Sequence, residues 1–212
     1  MRIRVTGVSG LIVWKLFGQK YKGEGKSMLV INTYIEQKAL DSFCFNKENA
    51  SDYFISLNDP LSYQNANRQL KRHKGHKLDG VVIIKSLDTA MTDFMDWDDI
   101  DLMWIGILEM ALDYKKTGFG KRFMAMNNHE WSIKKIITNP ENLILFKVKR
   151  NPLNFKEESL YEIYKETTNI VNEEILIAQI LQAADEFISF REKLFEIGSV
   201  SRLKALVSET QE

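Results

Sequence analysis

The chain has 212 residues, is 44% hydrophobic with 12 Phe and 4 Trp, and balances 29 basic against 29 acidic side chains. That apolar and aromatic content excludes an intrinsically disordered chain, and the length suffices for a substantial core. No apolar run reaches the ~18 residues that span a bilayer, Met1 to Val5 lacks a signal-peptide core, and the lone Cys44 cannot close an internal disulfide, so a cytoplasmic protein off the membrane is expected.

In chain order, Arg2 to Val5 and Leu11 to Phe17 read as a β-hairpin about TGVSG, and Met28 to Glu36 as a third strand. Gln37 to Phe45 is amphipathic and predicts a short helix, and Tyr53 to Leu57 a strand closed by Asn58-Asp59-Pro60. The polar stretch Leu61 to Asp79 predicts a short helix and an exposed loop, and Gly80 to Ser86, with four consecutive Val and Ile, a buried strand.

The block DWDDIDLMWIGILEMALDYKKTG is the strongest local signal. Asp98, Asp99 and Asp101 at its start and Lys115 and Lys116 at its end both complement a helix dipole, and Gly118 can take the left-handed conformation that ends a helix. Its centre is apolar almost all round, which predicts a buried helix over 96–117. Strands follow at Lys121–Met126, Glu130–Thr138 and Leu143–Lys149, the last two forming a hairpin across Asn139-Pro140-Glu141-Asn142. From Phe155 the spacing turns helical: Asn172 caps a long helix that Gly198 ends, and Ser199 opens a short one through Leu206. The expected fold is α+β: a twisted, mainly antiparallel sheet packed by one buried helix, with a C-terminal helical layer. With three prolines and no linker-like stretch, 1–212 is expected to be a single domain, 1–154 mainly sheet plus the central helix and 155–212 mainly helical. Apolar residues on more than one face of the long C-terminal helix fit burial within the monomer or in a homodimer.

Catalytic signatures are scarce. MRIRVTGVSGLIV resembles the opening of short-chain dehydrogenases and nucleotide-sugar epimerases, and Tyr161-x-x-x-Lys165 echoes their catalytic pair. Val13 stands where that loop needs a third glycine, and a strand-like run follows instead of a helix cap, so a hairpin turn is the reading taken. Glu36-Gln37-Lys38 at a strand end has the E-x-K form of a metal-dependent nuclease, but the nearest upstream acid is Glu24 in a turn. Cys44 lies between two Phe, a setting that makes a thiol inert, and the three His suggest no zinc centre. No catalytic residue, cofactor or metal is assigned.

Two charged features remain. Residues 1–90 carry 14 Lys and Arg against 8 Asp and Glu, and 91–212 carry 15 against 21. The basic excess includes Arg68, Lys71, Arg72, His73, Lys74, His76 and Lys77, which could neutralise nucleic-acid phosphates. The acids include Asp98, Asp99 and Asp101 around Trp97, an aromatic anchor with a charged rim of the kind found at protein interfaces. The missing chemistry favours a non-catalytic protein-binding module of inhibitor, immunity or adaptor type, its site the acidic edge Trp97, Asp98, Asp99 and Asp101. The general look is similar to small bacterial, phage or plasmid accessory proteins, toxin-immunity proteins among them. The alternative is a nucleic-acid-binding protein using loop 68–77, with the E-x-K site as a nuclease.

Overall fold

The computed structural model describes residues 29–39, 49–75, 77–86, 89–136, 142–152, 165–194 and 198–212. The expected N-terminal hairpin, most of the 37–45 segment, Cys44, Glu24, His76 and the 139–141 turn lie outside them. In order come β1 (Leu29–Glu36), β2 (Phe54–Ser56), α1 (Ser62–Arg72), β3 (Asp79–Ser86), β4 (Thr89–Ala90), β5 (Asp98–Asp99) and α2 (Ile100–Thr117). Then follow β6 (Phe119–Phe123), β7 (Glu130–Ile136), β8 (Leu143–Lys149), β9 (Glu166–Asn172), α3 (Glu173–Glu192) and α4 (Gly198–Gln211).

The α+β class is as expected, but the strands divide into two antiparallel sheets. The first has the order β2-β1-β3-β4 with β5 also on β3, and the second is the meander β6-β7-β8-β9. α2 lies between them and touches β3, β6, β7, α3 and α4. Its buried Met103, Trp104, Ile107, Leu108 and Ala111 join the inner faces of both sheets to the C-terminal helices in one hydrophobic cluster. Trp104 stacks at 6.1 Å on Phe187 of α3 and donates to Thr33 Oγ1 of β1 at 3.2 Å, so its indole N–H is satisfied within the core. A smaller cluster of Phe54, Val81 and Ile83, with Tyr34, Phe94 and Trp97, covers the back of the first sheet.

Two glycines set how closely α2 approaches the sheets. A Cβ at Gly120 would lie 1.9 Å from Met110 O, and one at Gly80 2.7 Å from Ile100 Cδ1 of α2. Gly118 ends α2 with φ +76, its N–H bonded to Tyr114 O.

Several boundaries differ from expectation. Helix α2 begins at Ile100, because Asp93 and Asp96 form a capping box on a one-turn 3-10 helix and Asp98–Asp99 pair with β3. Trp97 therefore precedes the helix and packs in the smaller cluster, away from Trp104. The segment 166–172, read as part of a helical region, is strand β9, its Thr-Thr-Asn-Ile-Val run paired with β8 along its full length. Asn172 does cap α3, accepting from Ile175 N at 3.1 Å, but α3 stops at Glu192 and Gly198 opens α4.

Candidate functional site

Helix α1 and the turn after it fold the basic segment back onto two buried acids. Glu36 ends β1 and Asp79 begins β3, both almost fully buried. Arg72 pairs with Glu36 and lies 3.5 Å from Asp79, Lys77 Nζ reaches Asp79 Oδ1 at 2.6 Å, and His73 Nε2 lies 3.3 Å from Asp79 Oδ2. Arg68 donates to Gln37 O and Asn65 Oδ1. Of the predicted nucleic-acid contacts, Arg68, Lys71 and Lys74 stay exposed without an ion pair among the described residues. Of the E-x-K residues, Lys38 lies over the Tyr53 ring at 5.8 Å, while Glu36 pairs with Arg72. No group of three or more His, Cys, Asp or Glu among the described residues could hold a metal ion.

The acidic edge points inward. Asp98, Asp99 and Asp101 are all buried, which leaves Trp97 the partly exposed member of that set. Asp98 accepts from Asp99 N at 2.7 Å, Met126 N at 3.0 Å and Asn127 N at 3.3 Å, pinning the loop after β6 to the start of α2. Asp99 is the N-cap of α2, accepting from Asp101 N at 3.1 Å and Leu102 N at 3.3 Å. Asp101 pairs with Arg191 of α3 at 2.9 Å. Burial pushes the Asp98 carboxyl up, against the opposing amide bonds. It pushes Asp99 to about 6, with the neighbouring charges of Asp101 and Asp98 adding to the rise.

Behind this edge lies a polar cluster that sequence spacing could not reveal. Arg150 grips Asp96 with Nε–Oδ1 2.6 Å and Nη2–Oδ2 2.5 Å, and His129 Nδ1 lies 3.1 Å from Asp96 Oδ1. All three side chains are buried. Burial would raise the Asp96 carboxyl, but the His129 hydrogen bond and the Arg150 guanidinium hold it below the usual 3.8. The cluster ties the 3-10 turn before α2 to the ends of β7 and β8, and fixes the base of the 124–129 loop.

What that scaffold presents outward is apolar and basic. On the second sheet, Gly120, Arg122, Trp131, Ile133, Ile144, Phe146 and Val148 share the inner face by register. The other face carries Phe119, Lys121 and Phe123 of β6, and opposite them Lys134, Ser132 and Glu130 of β7. Phe119 is 46% and Phe123 56% exposed, and Met126 just beyond is 49% exposed. Leu102, 48% exposed, sits on the first turn of α2, where its amide binds Asp99 beside the Asp98 that holds Met126. Lys147 and Lys149 extend the outer face onto β8. Lys121 pairs with Glu130 at 3.4 Å and Lys147 with Glu166 at 2.7 Å, while Lys134 and Lys149 have no ion pair among the described residues.

β6 is an edge strand, and its edge is blocked. Thr117 Oγ1 accepts from Phe119 N–H at 3.2 Å and lies 2.8 Å from Phe119 O, and Arg122 Nη1 donates to Lys121 O at 2.7 Å. Strand addition is thereby disfavoured, and the face itself is what a partner can reach. The strand was expected at Lys121–Met126; it runs instead over Phe119–Phe123, which puts both Phe at one parity and Gly120 on the side that α2 covers.

Two open grooves lie in the helical layer, one of about 550 Å³ between Tyr63 and α3 and one of about 360 Å³ between α3 and α4. They meet at Asp185 and Ser189 and enclose no convergent catalytic set. No described helix is long and apolar enough to cross a membrane. Compared with known protein families, curated proteins and solved structures, the chain matches none.

Proposed function

We propose that this chain is a non-catalytic protein-binding module, of inhibitor, immunity or adaptor type, that works by covering a partner's surface. The observation that supports it most is the placement of the exposed apolar side chains. Three of the five large ones among the described residues, Phe119, Phe123 and Met126, fall within one strand and its following loop. Exposed Phe anchors on a rigid support, with a charged rim, are the make-up of an interaction surface rather than of a catalytic cleft. The site thus moves from the acidic edge to the adjoining sheet face, and Asp98 and Asp99 support it from behind. The reading places the protein in the cytoplasm, as an accessory protein of a bacterium, phage or plasmid.

The test is tagged capture from nuclease-treated lysate of the producing cell, comparing wild type with the Phe119→Ser/Phe123→Ser variant. Capture of a stoichiometric protein that the variant loses, with its melting temperature kept, is the expected result. Recovery of nucleic acid in untreated lysate, with its loss in Lys71→Glu/Lys74→Glu, would overturn it in favour of the basic loop.

A further inference from the structure

Resting on the protein-binding reading, we propose that the outer face of the second sheet takes an acidic protein surface with an apolar centre. The apolar centre covers Phe119 and Phe123, and the partner's carboxylates meet Lys134, Lys149 and Lys121.

Charge complementarity points to such a partner. Four lysines, Lys121, Lys134, Lys147 and Lys149, share this face with two acids, Glu130 and Glu166. Lys147 is the main cause that holds Glu166 below its usual range, with Lys149 adding to it. Lys134 stands directly across from Phe119, and Lys149 lies in the cross-strand row that runs from Phe123 through Glu130 to Glu166. A partner that covers the two Phe also takes water from the neighbouring ammonium groups, Lys134 first, and carboxylates on its side offset that desolvation. On strand geometry the two Phe lie roughly 13 Å apart, a span for two apolar side chains of a folded surface.

Two other occupants fit less well. A nucleic-acid strand following the same row would run a continuous line of phosphates past Glu130 and Glu166, whereas a folded acidic surface can set its carboxylates at the lysines alone. A second copy joined edge to edge is opposed by the Thr117 and Arg122 blocks on β6, and one joined face to face would set the lysine excess of each copy against the other.

Amide chemical shifts of the isotope-labelled full chain test this directly. The probes are a short peptide alternating Glu and Phe, its Lys-for-Glu counterpart, and oligothymidylate. The expected result is that the acidic peptide alone shifts amides in 119–126, 130–134 and 145–149. Lys134→Glu/Lys149→Glu, both changes at exposed positions, should weaken it roughly tenfold or more. An acidic peptide that leaves this face unmoved, a basic peptide that binds as well, or oligothymidylate shifting the same amides would each overturn the proposal. In the lysate capture, a partner lost by Phe119→Ser/Phe123→Ser but kept by Lys134→Glu/Lys149→Glu would leave the protein-binding reading standing and sink its acidic partner. Indifference to both variants would sink both.

Discussion

At the scale of single residues, the acids of 93–101 divide into two kinds with opposite responses to pH. Asp96 has a lowered pKa, so its contribution to stability is present above 3.8 and is lost as pH falls through its lower folded value. Asp99 is raised to about 6, so its charged form is a burden near neutrality, and the folded state gains as pH falls from 7 through 6. Urea midpoints should therefore rise from pH 7.5 to about 5 and fall again in acid. Asp99→Asn, which keeps the cap, should flatten that rise; a rise of undiminished size in the variant would show that Asp99 is not its source. Asp96→Asn leaves Arg150 and His129 facing a neutral amide in the interior, and should lose about 3–5 kcal/mol in equilibrium unfolding. A loss below about 1 kcal/mol would mean that water reaches the cluster and compensates it. The acids at the start of α2 were legible as dipole partners, because that is a short-range matter, but the cap at Asp99 was not, since the helix was expected to begin at Asp96. The grip of Arg150 on Asp96 was not either, since 54 positions separate them and no local pattern links the two.

At the scale of elements, the close approach of α2 to β6 is what turns Phe119 and Phe123 outward. Gly120→Ala should cost at least about 2–3 kcal/mol, because the new methyl meets the Met110 carbonyl of a packed helix. Thermal melts with near-ultraviolet dichroism would report it, and unchanged melting would mean that α2 can lift off β6. Thr117→Val opens the edge at Phe119 at a cost of about 1 kcal/mol, and should bring concentration-dependent association in sedimentation. A variant that stays monomeric would show that the hydroxyl is not what guards the edge. The elements themselves were mostly readable: the apolar wheel of α2, its Gly118 stop and the alternation of β7 and β8 are strong local patterns. β9 was not, because Ile170 and Val171 sit beside a helix start and their strand pairing comes from β8, which no window on 166–172 contains. The division into two sheets was equally invisible, being decided by a helix that passes between them.

At the scale of the whole molecule, the charge asymmetry of the sequence resolves, among the described residues, into internal pairing and outward basic excess on the second sheet and at 68–74. The basic stretch 68–77 turns onto Glu36 and Asp79, and Asp98, Asp99 and Asp101 turn inward to caps, amides and Arg191. Charge runs in sequence say how many ions a segment carries and nothing about which way they face; here tertiary packing absorbed the acidic run and only part of the basic one, leaving Arg68, Lys71 and Lys74 exposed. The candidate surface was half legible. A strand near Phe123 was expected, but its start at Phe119 was missed, and the exposure of both Phe depended on α2 claiming the Gly120 side of the strand.

We propose that the outer face of β6 and its following loop carry the function. The decisive experiment is hydrogen exchange read by mass spectrometry, on the free chain and on the chain with its captured partner. Slowed exchange on binding should concentrate in 119–128 and in the facing parts of β7 and β8. Protection confined to 68–77, with 119–128 exchanging as in the free chain, would contradict it.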